Sequence, residues 1–200
     1  MHRGQTQSDN HPQKGSCIKV EPIRDLKAIK RIKHYLSDKP RDFCLFTLGI
    51  NTAYRANELL SVRVCDIAHL QAGDVLELKQ SKVNKYRGVT VNKNVVNAVT
   101  DLLSVHDYAS EDCLFYSQHA AVLTVSAVNR LVKRWCSDNG LKGNYGSHTL
   151  RKTWGYHQRK QKNAPMPLLM EAFGHSTQKQ TLDYLGIQAQ EIQELYELEL

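Results

Sequence analysis

Two segments of the sequence combine residue types that could bind and cleave a phosphodiester without a metal ion. His148 and Arg151 are one helical turn apart, so both side chains can face the same phosphate. Farther along the chain, His175 is followed by Tyr184, whose phenol could act as a nucleophile. Such a reaction needs a nucleophile, cations around the phosphate oxygens and an acid for the leaving oxygen. The two segments supply candidates for the nucleophile and for the phosphate-binding groups.

Two further segments offer a second guanidinium and an ammonium. Arg55 precedes a predicted short helix, and Glu58 lies three residues later on the same face, where its carboxylate can hold the guanidinium. Lys82 lies in a predicted turn between two strands and could protonate the leaving oxygen. Lys79 and Lys85 compete with Lys82 for that role. A surface ion pair and a solvated turn lysine are the ordinary alternatives for these segments.

The pattern around Gly174 is the most specific of the four. An apolar stretch over 168–173 ends at Gly174, which is predicted to stop a helix and to turn His175 toward the site. Thr181 is predicted to start the next turn and to present Tyr184. The ordinary alternatives are a half-buried core aromatic for Tyr184 and a capping histidine for His175.

In their order along the chain, these segments resemble the catalytic boxes of the tyrosine recombinases of the phage-integrase type. The resemblance covers roughly residues 20–186. Lys152 is a minor departure, because many family members have a histidine at that position. The resemblance implies that Tyr184 attacks the scissile phosphate and leaves a 3′ phosphotyrosine and a free 5′ hydroxyl. No ATP, metal ion or other cofactor is implied.

The resemblance also implies a role for each site residue. The implied catalytic residues are Arg55, Lys82, His148, Arg151, His175 and Tyr184, with Glu58 in support. The two arginines and His175 would stabilise the charge of the transition state, and Arg151 would bind the non-bridging oxygens as a fork. His148 would take the proton of the tyrosine, and Lys82 would give a proton to the 5′ oxygen.

Apolar spacing predicts the elements that position these residues. Steps of three and four residues, interrupted at Pro40, indicate amphipathic helices, the first of them basic. The predicted helices cover residues 23–36, 43–50, 95–103 and 125–135. A polar turn between two apolar runs, at 75–78 and 89–91, predicts a short β-hairpin. The predicted class is therefore α+β, a mostly helical tyrosine-recombinase catalytic fold with a small antiparallel sheet.

The domain organisation follows from the first residues and from the extent of the resemblance. Residues 1–17 are polar and without an apolar pattern, so they are predicted to form a flexible tail before a catalytic domain over 18–200. Family members usually carry a separate N-terminal core-binding domain, which is absent from this sequence. The chain is expected to be either a fragment of a longer recombinase or a naturally short member.

Charge and apolar spacing predict two partners. Residues 1–184 contain 27 basic and 16 acidic residues, a net charge of +11, because four glutamates and no basic residues follow. This excess predicts binding to double-stranded DNA, with phosphate contacts from the basic helix at 23–36. In the acidic segment, Ile192, Leu195 and Leu198 predict a helix. That helix either grips a neighbouring protomer in a homotetramer or packs on its own domain.

Other classes of protein are disfavoured by what the sequence lacks. Its five cysteines are widely spaced, which indicates reduced thiols, and none has the spacing typical of a zinc site. No apolar run resembles a signal peptide or a membrane span, so a cytoplasmic location without a membrane partner is expected. Two alternative functions stay open: DNA relaxation as in type IB topoisomerases, and a catalytically silent DNA-binding regulator of the same fold.

Overall fold

A computed structural model describes residues 20–79, 86–117, 121–186 and 196–197. Within these ranges it contains nine helices and one two-stranded sheet, which confirms the predicted α+β, mostly helical class. The helices are α1 (Leu26–Tyr35), α2 (Pro40–Asn51), α3 (Ala56–Leu60), α4 (Val64–Ile67), α5 (Lys93–Ser104), α6 (Val125–Asp138), α7 (Ser147–Lys162), α8 (Met166–Phe173) and α9 (Gln178–Leu185). The strands are β1 (Val75–Lys79) and β2 (Tyr86–Thr90).

Several predictions fall outside the described residues. They concern the tail at 1–17, the lysines Lys82 and Lys85, and the apolar positions Ile192, Leu195 and Leu198 of the acidic segment. These remain predictions.

The first two helices begin at residues other than those predicted. α1 begins after Asp25, whose carboxylate accepts hydrogen bonds from the backbone N–H groups of Lys27 and Ala28 at 2.8 and 3.1 Å. Ile23 precedes the helix and is buried, and its N–H donates to Thr153 on α7. α2 includes Pro40, because a proline suits the first helical turn. Backbone N–H groups of that turn have no acceptor within the helix, so the N–H that proline lacks costs no helical hydrogen bond.

The predicted hairpin is confirmed. β1 and β2 pair antiparallel, with Val75 opposite Thr90 and Lys79 opposite Tyr86. Along β2 the half-buried positions are Arg87 and Val89, and Tyr86, Gly88 and Thr90 are exposed. Arg87 therefore faces the interior of the protein.

Helix α2 lies in the main core and packs against α5 and α7. Phe46 of α2 meets Trp135 of α6 edge to face, with ring centroids 5.9 Å apart. α2 and α7 approach closely because Gly49 has no side chain: a Cβ there would lie 2.8 Å from the Cβ of Leu150. This contact brings the first turn of α7 beside the chain that leaves α2.

A second, smaller group of buried residues lies under α8 and α9. It consists of Ala53, Leu169, Phe173 and Leu185, and Trp154, Ala164 and Tyr184 pack against it. We call this group the small core. Gly155 of α7 lets it pack closely, since a Cβ at Gly155 would lie 2.8 Å from Cδ2 of Leu185.

The described residues include no helix long and apolar enough to cross a bilayer. Four cysteines, Cys44, Cys65, Cys113 and Cys136, are free thiols, as predicted. The same part of the chain contains no group of three or more side chains that could bind a metal ion.

Candidate active site

Arg55 and Glu58 are joined at the start of α3. Arg55 caps the helix, and its backbone N–H donates to Glu58 Oε2 at 2.5 Å. Its guanidinium also approaches Glu58 Oε1, at 3.4 Å, and donates to the carbonyl oxygen of Phe173 at 3.5 Å. The predicted pairing of Arg55 with Glu58 is therefore present, and it ties α3 to the end of α8. The Arg55 side chain keeps 39% of its surface exposed.

Arg151 is almost completely buried in the first turns of α7. Its guanidinium donates to the carbonyl oxygen of Ala53 and, at 2.5 Å, to that of Phe173. Burial, together with nearby cations, lowers the pKa of Arg151 to about 10. Two of the five N–H groups of the guanidinium are thus already donated to carbonyls.

A third guanidinium, that of Arg87, enters the site from β2. It donates to the carbonyl oxygens of Ala53, at 2.7 Å, and Ala172, and it lies 3.3 Å from Glu58 Oε2. Burial is the main cause of its lowered pKa. Arg87 was not among the site residues predicted from the sequence. Its alternation with Val89 and Val91 on the inner face of the hairpin could have revealed it.

The carboxylate of Glu58 lies among these three guanidiniums. Arg55, Arg87 and Arg151 approach it at 3.4, 3.3 and 3.9 Å. Glu58 is 6% exposed, so its charge is balanced by the arginines and little by water. The cluster as a whole has an excess of positive charge beside the end of α8.

Gly174 and Thr181 together position His175. Gly174 ends α8 in the left-handed conformation, with φ 60°, and the backbone N–H of His175 donates to the carbonyl of Met170 at 2.9 Å. The predicted helix stop at Gly174 is confirmed. The Nδ1 atom of His175 lies 3.0 Å from the hydroxyl oxygen of Thr181.

The prediction that Thr181 starts a turn is wrong. Thr177 caps α9 instead, and its hydroxyl accepts from the N–H of Gln180 at 3.2 Å. Thr181 is fully buried inside α9. A threonine caps a helix through the N–H three residues later, and Thr177 is the first threonine that follows the turn at 174–176.

Tyr184 projects from α9 toward the first turn of α7. Its hydroxyl oxygen lies 3.3 Å from Nδ1 of His148. The centre of the Tyr184 ring lies 5.2 Å from the centre of the His175 ring and 5.8 Å from the guanidinium carbon of Arg151. The ammonium of Lys152 is 5.0 Å from the centre of the Tyr184 ring. Lys152, like Arg87, was not among the site residues predicted from the sequence.

The protonation states suit transfer of the phenol proton to His148. Burial raises the pKa of Tyr184, although Arg151 and Arg55 act in the opposite direction, so the phenol stays protonated near neutral pH. Burial and then Arg151, Lys152 and Arg55 lower the pKa of His148, so its ring is neutral and able to accept a proton.

The structure thus brings together six of the seven predicted site residues: Arg55, Glu58, His148, Arg151, His175 and Tyr184. The seventh, Lys82, lies outside the described residues, as does the competing Lys85, and Lys79 ends β1. The hairpin that leads to Lys82 is tied to the site by Arg87. Cations, a neutral imidazole and a protonated phenol can together bind a phosphate diester and prepare an oxygen nucleophile.

Comparison with known proteins identifies the family. The profile of the phage integrase family matches residues 24–191. The chain belongs to the phage integrase family. It is 32% identical over 171 residues to a probable integrase/recombinase, YoeC, of Bacillus subtilis, and the match covers 84% of this chain and 90% of that protein. It is 28% identical to the tyrosine recombinase XerC of Caldanaerobacter subterraneus, where the match covers 78% of this chain and 44% of the relative.

Solved structures share the fold of this phage-integrase chain. XerH site-specific recombinase, bound to a palindromic difH substrate in a post-cleavage complex, superposes with a TM-score of 0.73. The match has 20% identity and covers 92% of this chain and 54% of that one. XerA recombinase gives a TM-score of 0.72 at 18% identity, over 90% of this chain and 67% of XerA. The predicted tyrosine-recombinase fold and enzyme class are confirmed.

Proposed function

We propose that this domain cuts and rejoins double-stranded DNA through a covalent bond between Tyr184 and a backbone phosphate. One observation carries the proposal: the Tyr184 hydroxyl lies 3.3 Å from a neutral imidazole nitrogen of His148. Arg151 and His175 pack against the Tyr184 ring, and Arg55 is near enough to act against the rise in the pKa of its phenol. The names of the relatives, which are recombinases and integrases, support the same conclusion.

In the proposed reaction, His148 accepts the phenol proton as the tyrosine oxygen bonds to phosphorus. The bond from phosphorus to the 5′ oxygen breaks, and Lys82 supplies the proton that makes a 5′ hydroxyl. The product is a 3′ phosphotyrosine, which keeps the energy of the phosphodiester. Attack by the 5′ hydroxyl of a partner strand reverses these steps and releases Tyr184, so neither ATP nor a metal ion takes part.

Arg55, Arg151 and His175 are proposed to stabilise the pentacoordinate phosphorus. Arg55 is the more accessible arginine, whereas Arg151 is buried with two N–H groups donated to carbonyls. We therefore assign Arg55 to the outer oxygens and the remaining N–H groups of Arg151 to the inner side of the phosphate. Removing one such group commonly lowers the rate by about two to three orders of magnitude.

The partners are proposed from charge and from the relatives. DNA phosphates would contact exposed cations of α1, and several structural neighbours are complexes with DNA. Assembly into a homotetramer through the acidic segment after Gly186, a single catalytic domain over 18–200 and a cytoplasmic location are the further parts of the proposal.

A nicked suicide substrate made from the DNA of the native locus tests the chemistry. Wild-type protein is expected to form an adduct with the DNA that survives denaturant, and Tyr184→Phe to form none. Phenylalanine keeps the ring that packs on Phe173, so the control removes the hydroxyl alone. If the adduct persists in Tyr184→Phe, or the wild type forms none on this DNA, the proposal is wrong.

Recombination is separated from simple strand relaxation by a second assay. A plasmid with two copies of the site trapped in the adduct is expected to exchange strands between the copies. A topoisomerase of similar fold would relax the supercoiled plasmid and leave the two copies unexchanged.

A further inference from the structure

The hydroxyl of Thr181 is the hydrogen-bond partner of His175, and it is fully buried. Its Oγ1 atom lies 3.0 Å from Nδ1 of His175. Within the described ranges this hydroxyl has no second partner at hydrogen-bonding distance. A hydroxyl carries one hydrogen, and a buried donor without an acceptor is costly. If Nδ1 carried a hydrogen, that of Thr181 would have no acceptor, so the geometry favours donation from the Thr181 hydroxyl to Nδ1.

This donation decides which ring nitrogen of His175 carries a hydrogen. A neutral imidazole has one N–H group, so if Nδ1 accepts a hydrogen bond then Nε2 carries the hydrogen. The ring is neutral because burial and the cations Arg151, Arg55 and Arg87 lower its pKa to about 4. Among the described residues, Tyr184 is a further titratable group against it, with ring centres 5.2 Å apart.

Phe173 restrains the plane of the same ring. It is fully buried and stacks on His175, with ring centroids 5.1 Å apart and an angle of 23° between the planes. The stack fixes the plane and the hydroxyl of Thr181 fixes which edge faces α9. The Nε2 edge therefore points away from Thr181.

We propose that Thr181 is a positioning residue that keeps His175 in the Nε2–H tautomer, so that the neutral ring donates a hydrogen bond to the scissile phosphate. The proposal rests on the proposed function. It also explains the spacing between Thr181 and Tyr184, which places both on one face of α9. One side chain then contacts His175 and the other contacts His148.

The tautomer can be measured directly, without DNA. In a ¹⁵N-histidine-labelled full chain at pH 7, His175 is assigned by comparison with His175→Gln, and its ring nitrogens are correlated with the ring protons. The wild type and Thr181→Ser are expected to show a hydrogen on Nε2 alone. Thr181→Val, of similar size but without the hydroxyl, removes this bias and is expected to show a mixture of the two tautomers. Nδ1–H in the wild type, or Nε2–H alone in Thr181→Val, overturns the proposal.

The catalytic consequence is measured as the rate of adduct formation on the suicide substrate. Thr181→Val is expected to be slower than wild type by about 10- to 100-fold, the range seen when partners that orient metal-binding histidines are removed. Thr181→Ser is expected to be close to the wild-type rate. If Thr181→Ser is as slow as Thr181→Val, or if both react at the wild-type rate, the proposed role is wrong.

The two measurements distinguish this inference from the function on which it rests. An Nε2–H tautomer that depends on Thr181, in a protein that forms no adduct, supports the positioning role and refutes the function. Adduct formation with an Nδ1–H tautomer supports the function and refutes the positioning role.

Discussion

Three guanidiniums share one buried carboxylate, so the interior of the site carries net positive charge before any ligand binds. The arginines also donate to the carbonyl oxygens of Ala53, just after α2, and of Ala172 and Phe173, at the end of α8. Carbonyl dipoles disperse the charge of the arginines and fix their position. A phosphate that arrives therefore meets cations that need little rearrangement.

Arg87 is expected to contribute more to stability than an exposed arginine at the same distance from its partner. Arg87→Met leaves Glu58 with two arginines and removes the arginine donor of the Ala172 carbonyl, whereas the Ala53 carbonyl keeps Arg151, so we expect a loss of about 2–3 kcal/mol in the free energy of unfolding. Arg24→Met is the control, because Arg24 also lies 3.3 Å from its partner, Glu21, but is exposed. It should cost at most about 1 kcal/mol.

Urea unfolding of the two variants and the wild type measures both values. Equal losses in Arg87→Met and Arg24→Met would show that the contacts of Arg87 to the site add nothing.

The pH dependence of adduct formation tests His148 as the base. At subsaturating DNA the rate reports the free protein, and it should rise with pH as His148 loses its proton and then level off. The pKa of His148 is lowered, so this rise lies below the ordinary range for histidine. Lys152→Gln removes one of the cations that lower this pKa, so the rise should move to higher pH.

Lys162→Gln is the matched control, since Lys162 lies at the far end of the same helix. The assignment of His148 fails if the profiles of Lys152→Gln, Lys162→Gln and the wild type coincide.

At the scale of elements, Gly155 allows α7 to contact α8 and α9. Replacing a helical glycine by alanine usually stabilises a helix by up to about 1 kcal/mol. Here the new methyl group would meet Phe173 and Leu185, and such overpacking costs about 1–3 kcal/mol. Gly155→Ala should therefore lower the melting temperature and slow adduct formation, because α9 carries Tyr184.

Lys162→Ala, at an exposed position of α7, should leave both quantities near wild type. If the melting temperature of Gly155→Ala is higher than that of the wild type, the side chains of the small core can move to accommodate the added methyl group.

The elements that could be predicted are those that bury one face, because their apolar residues then recur with the period of a helix or a strand. Residues 125–135 showed a helical period and form most of α6, and the alternation through Val89 marked β2. The approach of His148 to Tyr184 followed from motif spacing together with the family resemblance. The carbonyl acceptors of the site could not be predicted, because a backbone carbonyl carries no sequence pattern and its neighbours depend on how distant segments pack.

The role of Thr181 shows the limit of local rules. Capping preference identifies threonine as a suitable cap, but either Thr177 or Thr181 satisfies it. The choice depends on which hydroxyl has a partner in the folded chain, and His175 is that partner for Thr181.

At the scale of the whole molecule, the exposed cations of α1 are expected to determine much of the salt dependence of DNA binding. Lys27, Lys30 and Arg31 are exposed on this helix. If each neutralises one phosphate, changing all three to glutamine should reduce the slope of log K against log salt by about 3, since each contact contributes about 0.9.

Fluorescence anisotropy over a range of salt concentrations measures the slope. Lys93→Gln, at an exposed position on α5, is the single-charge control and should change the slope by no more than about 1. An unchanged slope in the triple variant would place the DNA on another face.

The separation of the small core from the main core also affects which part of the molecule unfolds locally. Among the described residues, four buried apolar side chains form the small core, far fewer than in the main core. Segments that bury little apolar surface open at a lower free energy than the whole domain. Amide hydrogens of α8 and α9 should exchange with solvent before those of α2, so the nucleophile can withdraw and return while the rest of the domain stays folded.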